Sequence, residues 1–253
     1  MRKLLKSVVR RHRKRKNLRL GLKSRDPFVV IKMLSPSRPQ MIFDVGAHVG
    51  LAAARFRELF PGVKIHCFEP FPESFEKLEA AASVLQPIEL HRFALADTEG
   101  ELQFSVNRNS ATNSLLASDE RAEVYWRGDT PRTLGSLTVQ ARTLDAFARD
   151  NAIEAIDVLK MDVQGGEYDV LQGAREMLSR QAIGLIYMEL ITAPTYLGQH
   201  RIREYLELFD ANGYELFELY NFGRSHGRLL QTDIIVVNAE TLGRYEQGLA
   251  GAK

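Results

Sequence analysis

The chain has 253 residues, 45% hydrophobic and 26% charged, with 18 Gly and 9 Pro. That composition describes one folded globular domain with room for an appendage, and excludes disordered, collagen-like and disulfide-scaffold classes. The net charge of +2 hides an asymmetry: 12 of the 34 Lys and Arg residues lie in the first 25 positions, which hold no acid, leaving 22 basic against 32 acidic residues and a net charge of −10. A body of that sign is not the basic surface of a nucleic-acid enzyme, so no nucleic-acid partner is expected. The single Cys67 forms no internal disulfide, and no apolar run approaches the ~18 residues of a membrane span or the core of a secretory signal. The expected setting is reducing and cytoplasmic.

Residues 1–39 read as a basic arm. Met1, Leu4, Leu5, Val8 and Val9 recur at helical spacing with cations around them, a pattern that suits an anionic membrane surface. Peripheral attachment at the inner membrane face through residues 1–25 is one expectation; a solvated tail is another.

From residue 41 short apolar runs alternate with helical periods, the pattern of a βαβ sheet. Strands are expected at 41–45, 64–68, 88–95, 157–162, 184–190, 214–220 and 232–238, and helices at 51–60, 72–85, 167–179 and 201–212. The polar stretch at about 100–140 interrupts the alternation and reads as an insertion with strands at 101–106 and 137–141, where Asn113, Ser114, Tyr125 and Trp126 are candidate substrate contacts. Only 11 residues separate the last two strands. That link is too short for a crossover helix, so the pair is expected as an antiparallel hairpin at one sheet edge. Residues 40–240 thus form one domain, and 241–253 a tail.

The chemistry-bearing motifs follow the strands. Asp44-Val-Gly46-Ala-His48-Val-Gly50 joins the first strand to a helix, a turn that lets a ligand reach backbone at a helix N-terminus. It lacks the full G-x-G-x-x-G spacing for dinucleotides, and two glycines also serve packing alone. Glu69 ends the second strand and is placed to accept both hydroxyl hydrogens of a ribose, or simply to face solvent before Pro70. Ala94-Leu95-Ala96-Asp97 follows the third strand; Asp97 could accept from an adenine amine, and Asp-Thr-Glu-Gly is equally a good turn. Asp162 closes the fourth strand before Val-Gln164-Gly165-Gly-Glu167.

These four motifs, in this order and spacing over roughly 40–238, resemble the FkbM-type family of S-adenosylmethionine-dependent methyltransferases. The resemblance implies an α/β fold of class I type, a Rossmann-like seven-stranded, mostly parallel sheet with a terminal antiparallel hairpin. It also implies O-methylation of a hydroxyl on a sugar, glycan or natural product, with S-adenosyl-L-methionine as cofactor. The glycine turn would then bind the methionine part, Glu69 the ribose, Ala94 to Asp97 the adenine, and Asp162 would lie near the reacting methyl. His48 and Gln164 stand where the family commonly has Asn and Glu. Candidate bases for the hydroxyl proton are Asp162, Glu189 at the end of the fifth strand and His226 in the hairpin loop. No ligand spacing demands a metal. The exposed-looking Arg108, Arg127, Arg132, Arg224 and Arg228 suit an acidic or phosphate-bearing acceptor. Rival readings are a noncatalytic cofactor-binding or membrane-docking member of the fold and an NAD-dependent oxidoreductase.

Overall fold

The computed structural model describes residues 26–36, 38–126 and 131–250. The elements in chain order are α1 (Pro27–Leu34), β1 (Met41–Val45), α2 (Leu51–Leu59), β2 (Lys64–Phe68), α3 (Pro72–Ala82), β3 (Ile88–His91), β4 (Ala94–Leu95), β5 (Gly100–Asn107), α4 (Ala122–Tyr125), β6 (Thr133–Arg142), α5 (Leu144–Asp150), β7 (Ile156–Met161), α6 (Glu167–Gln172), α7 (Arg175–Ser179), β8 (Ile183–Ile191), α8 (Ile202–Ala211), β9 (Tyr214–Ser225), β10 (Arg228–Asn238) and α9 (Ala239–Ala250). The main sheet has the order β3-β2-β1-β7-β8-β10-β9. Its first five strands are parallel, and β10 runs antiparallel to both β8 and β9. The expected terminal hairpin is therefore present. Strands β1, β2, β7 and β8 are buried almost throughout because helices cover both faces, which explains their near-continuous apolar runs.

One core holds Phe43, Phe147, Leu159, Val170, Met177, Tyr205 and Phe209 between the sheet and α5–α8. The other joins Ile42, Phe56, Phe75, Leu78, Val158 and Val237 under α2 and α3, and also takes Val30, Ile31 and Leu34 of α1. Asp26 caps α1 by accepting from the Phe28 amide, with Pro27 in the first turn. α1, inside the stretch assigned to the arm, thus packs into the core of the domain; the apolar stripe at 1–9 lies outside the described residues. At the other end, α9 replaces most of the expected tail, laying Leu242 and Tyr245 on the same core beside α1. Among the described residues no helix is long and apolar enough to cross a membrane.

Two expected elements come apart in the structure, and one helix was not expected. The apolar run 88–95 divides: β3 stays in the main sheet, whereas β4 pairs with β6 in a second sheet of order β4-β6-β5. Hydrophobic periodicity records burial but not which partner provides it, so this switch left no mark. The helix at 167–179 breaks at Gly173, where a Cβ would lie 2.0 Å from the Ala96 carbonyl oxygen. Finally α5, capped by Thr143 accepting from the Ala146 amide, was hidden within the insertion's polar flank.

Between β2 and β3 lies an imidazole pair, buried His66 Nδ1 to half-buried His91 Nε2 at 2.9 Å, packed against Phe43, Phe68 and Phe147. Burial pushes both down to about 4; Glu89 opposes this and Lys64 adds to it. The folded chain therefore binds fewer protons here than the unfolded chain, whose imidazoles titrate near 6.5. The stability this lends is complete above about pH 6.5 and is lost as pH falls toward 4. We expect a loss of about 2 kcal/mol from the pair by pH 5, allowing for partial exposure and coupling. In thermal unfolding at pH 7.5, 6 and 5, His66→Leu/His91→Leu should show a shallower acid slope than the parent; an equal slope would remove the pair from the account.

Candidate functional site

Register builds the site. Val45 pairs with Phe68 on one side and Met161 on the other, so the residues that follow, Gly46, Glu69 and Asp162, leave the sheet side by side at its carboxyl edge. Met161 pairs with Met188 and Asp233 with Glu189, which adds two more carboxylates beyond Asp162. Ligands of open α/β sheets bind at this edge, beside the point where strand order reverses.

Gly46 has φ +71, and a Cβ there would sit 2.0 Å from the Asp162 carbonyl oxygen. Its backbone amide and that of Ala47 both donate to the Phe68 carbonyl. His48, also left-handed at φ +49, donates its backbone amide to Glu69 Oε2 at 2.8 Å, and Phe71 donates to Oε1 at 2.9 Å. Both carboxylate oxygens are thereby fixed, each keeping a lone pair for a ligand. Glu69 is buried and its carboxyl is pushed up by that burial, against the pull of the two backbone donors and Lys160. The His48 ring meets Ser110 Oγ at 3.1 Å; burial and Lys77 push its pKa down, and Asp162 opposes them.

These residues line one cleft at the carboxyl edge of the sheet. Phe68, Phe93, Ala94 and Leu95 form an apolar wall; Phe104, Ser110, Ala111, Asn113 and Leu115 of the insertion close over it. Of the expected cofactor residues, Gly46, His48, Glu69, Ala94, Leu95 and Asp162 are in this lining.

The other three are elsewhere. Asp44 is fully buried below the turn, 2.9 Å from Lys160 Nζ, which also donates to the Gly46 carbonyl at 3.1 Å. It secures the turn and does not face the cleft. Burial alone would lower Lys160, but Asp44 and Asp162 outweigh it and keep the ammonium charged. Gly50, at φ +87, starts α2 and packs against Leu78. Asp97 lines a separate depression with Asp169 and His200, because β4 leaves the main sheet and carries the following turn with it.

Of the candidate bases, Asp162 is exposed in the cleft, and Glu189 stands behind it, joined through Gln164: the Gln164 amide nitrogen donates to Asp162 Oδ1 and to Glu189 Oε2, each at 2.9 Å. His226 is not brought to the cleft. β9 and β10 continue past the carboxyl end of β8, so their turn projects with His226 exposed at φ +48. Glu167, a residue the sequence did not single out, accepts from the Val163 and Gly165 amides and holds the turn after β7; burial raises it to about 7.

Of the insertion's candidate contacts, only Asn113 reaches the cleft. Ser114 donates to the Gln164 carbonyl, Tyr125 accepts from Arg228 at 2.6 Å beneath its guanidinium, and Trp126 donates to Thr195, so these three brace the insertion. Arg108, Arg132, Arg224 and Arg228 are absent from the lining, and Arg127 falls outside the described residues. His66, Glu89 and His91 come close enough for one ion, but the imidazoles are bonded to each other and Glu89 to Lys64.

Residues 44–216 match the family model described as the methyltransferase FkbM domain. The chain is 30% identical to the 2-O-methyltransferase NoeI of Sinorhizobium fredii over 71% of its own length and 74% of that protein's. It is 23% identical to the hexuronic acid methyltransferase AglP of Haloferax volcanii, covering 64% of this chain and 61% of that one. It is 28% identical to the 31-O-demethyl-FK506 methyltransferase FkbM of Streptomyces tacrolimicus, covering 54% and 60%. Similar solved structures include a methyltransferase FkbM from Methylobacillus flagellatus KT, at 15% identity and TM-score 0.47 over 77% of this chain and 43% of that one. The expected fold and class are borne out: by the extent of the family match and the 30% identical relative, the chain belongs to the FkbM family of methyltransferases.

Proposed function

We propose that this methyltransferase moves the methyl group of S-adenosyl-L-methionine to a hydroxyl oxygen of a sugar, glycan or related natural product. The observation that carries the reading is the convergence of Gly46, the doubly anchored Glu69 carboxylate and Asp162 at one sheet edge. The lining offers each part of the donor a partner. Glu69 offers two lone pairs to a ribose, Phe68, Phe93 and Leu95 offer an apolar face to a base, and the bare Gly46 backbone admits the amino-acid end. The relatives named above act, by their names, on a 2-hydroxyl, a hexuronic acid and a demethylated natural product. The acidic body suits such acceptors better than a phosphate backbone.

When bound, the donor supplies an electrophilic methyl on a cationic sulfur. The protein's task is alignment and exclusion of water, worth several kcal/mol of barrier. Gly46 and His48 shape the approach, the insertion residues Ser110 to Leu115 cover it, and Asp162, open to the cleft, accepts the hydroxyl proton. Incubation with methyl-labelled donor and a panel of uronic acids, deoxysugars and glycosides, followed by mass and carbon NMR analysis, should yield a labelled methoxyl product. Asp162→Asn should lower its rate by roughly 10²–10⁴-fold, the usual worth of a general base. Label on nitrogen or carbon would overturn the O-methyl assignment, and donor binding without product from any acceptor would favour a noncatalytic member.

A further inference from the structure

Gln164 has two amide hydrogens and spends them on two carboxylates, Asp162 Oδ1 and Glu189 Oε2. Its orientation follows from those two carboxylates; its carbonyl oxygen lies 2.9 Å from the Tyr196 hydroxyl, which also lies 3.0 Å from the Thr112 carbonyl, and its own backbone carbonyl accepts from Ser114. The residue is held at φ +57 on a turn that Glu167 braces from beneath. Turned the other way, an oxygen would face two carboxylates. The amide thus ties the open Asp162 to Glu189 at a fixed short separation.

Glu189 faces charge from every element around it: Asp162 and Lys160 from β7 and its turn, Glu167 from α6 and Asp233 from β10. Tyr187 lies on its own strand and Tyr196 in the loop after it. Burial and the three carboxylates push its carboxyl well up, and Lys160 opposes them. Its side chain keeps some solvent contact, which gives a proton a route.

We propose that Glu189 is a positioning residue whose proton answers to the charge of the ligand in the cleft: a cationic sulfonium donor expels it, and a neutral thioether product lets it return. The inference rests on the donor assigned above. It closes the proton count of transfer. As the oxygen–carbon bond forms and the carbon–sulfur bond breaks, its electron pair neutralises sulfur, and the hydroxyl proton leaves through Asp162. From Asp162 that proton passes to Glu189, which no longer faces a cation and so regains a proton in place of the one it released to solvent on donor binding; that earlier release is the one proton the reaction yields overall. The amide hydrogens of Gln164 stay in place throughout, its part being to keep the two carboxylates within reach of each other's charge.

The test is calorimetric titration with S-adenosylmethionine and with S-adenosylhomocysteine, each in two buffers of different ionisation enthalpy, from pH 6.5 to 8.5. Wild type should release more protons with the sulfonium than with the thioether, and its preference for the sulfonium should rise with pH by up to about tenfold per unit. Glu189→Gln should bind the thioether as wild type does, which also shows that it is folded, and should lose both the extra release and the slope. The ligands' own amino groups contribute equally to the two proteins, so the difference isolates Glu189. Equal release by wild type and variant, or no sulfonium-specific release by wild type, would overturn the proposal. Failure of wild type to bind either ligand would overturn the donor assignment itself, and the proposal with it.

Discussion

Gly46→Ala is expected to abolish measurable donor binding and to cost on the order of 3 kcal/mol in stability. The new methyl would meet the Asp162 carbonyl oxygen at 2.0 Å and its carbon at 2.8 Å. Both are backbone atoms at the end of a strand buried on both faces, so neither can move aside as a flexible side chain would. The φ of +71 adds the left-handed penalty of an L-residue, ~1–2 kcal/mol. The relief available is to spread β1 from β7, which would displace Glu69 and Asp162 together, since the Gly46 and Ala47 amides are bonded to the strand that carries Glu69. Gly135→Ala, with open space at its Cβ, is the matched control and should change stability by no more than about 0.5 kcal/mol. Chemical denaturation of the two proteins separates the effects, and a Gly46→Ala protein as stable as the control and binding donor normally would refute the close approach of the two turns.

Lys160→Met should destabilise by about 3–5 kcal/mol, because it strands a fully buried Asp44 carboxylate without its cation. The pair sits in register on adjacent strands, Asp44 opposite Lys160, below the glycine turn, and the ammonium also satisfies the Gly46 carbonyl. Asp44→Asn/Lys160→Met removes both charges and should recover most of the loss, the two positions being strongly coupled. The double variant should still bind donor more weakly than wild type, since the turn carbonyl has lost its donor. If the single and double variants were equally unstable, the loss would come from packing and not from the orphaned charge.

Much of this architecture was readable because burial writes itself into strand composition. β1 and β2 were legible to the residue, each being an apolar run bounded by Pro, Gly or charge, and the short link between the last strands forced their antiparallel pairing. The same reasoning could not separate 88–95 into β3 and β4, as Ile88 and Leu95 are buried alike but in different sheets. That one switch carried Asp97 away from the cleft while leaving Ala94 and Leu95 on its wall. Glu69 was legible as an acid at a strand end, but the two backbone donors that aim it come from a left-handed His48 and a loop, which no periodicity shows. Asp44 looked like a ligand-facing acid, and only the register with Lys160 reveals a structural pair. His226 had a suitable side chain at an unsuitable distance along the hairpin. Gln164, a departure from the family's common Glu, proved to be the link between two of the candidate bases.

The central claim is that the cleft between the glycine turn, Glu69 and Asp162 binds S-adenosylmethionine. Calorimetric titration of the purified chain with S-adenosylmethionine, S-adenosylhomocysteine and NADH, repeated with Glu69→Ala, tests it most directly. Charge-assisted hydrogen bonds of about 1.5–3 kcal/mol each set the scale. The first two ligands should bind wild type and bind the variant at least tenfold more weakly, with the fold of the variant intact by circular dichroism. Binding of NADH alone, or donor binding indifferent to the loss of Glu69, would contradict the account.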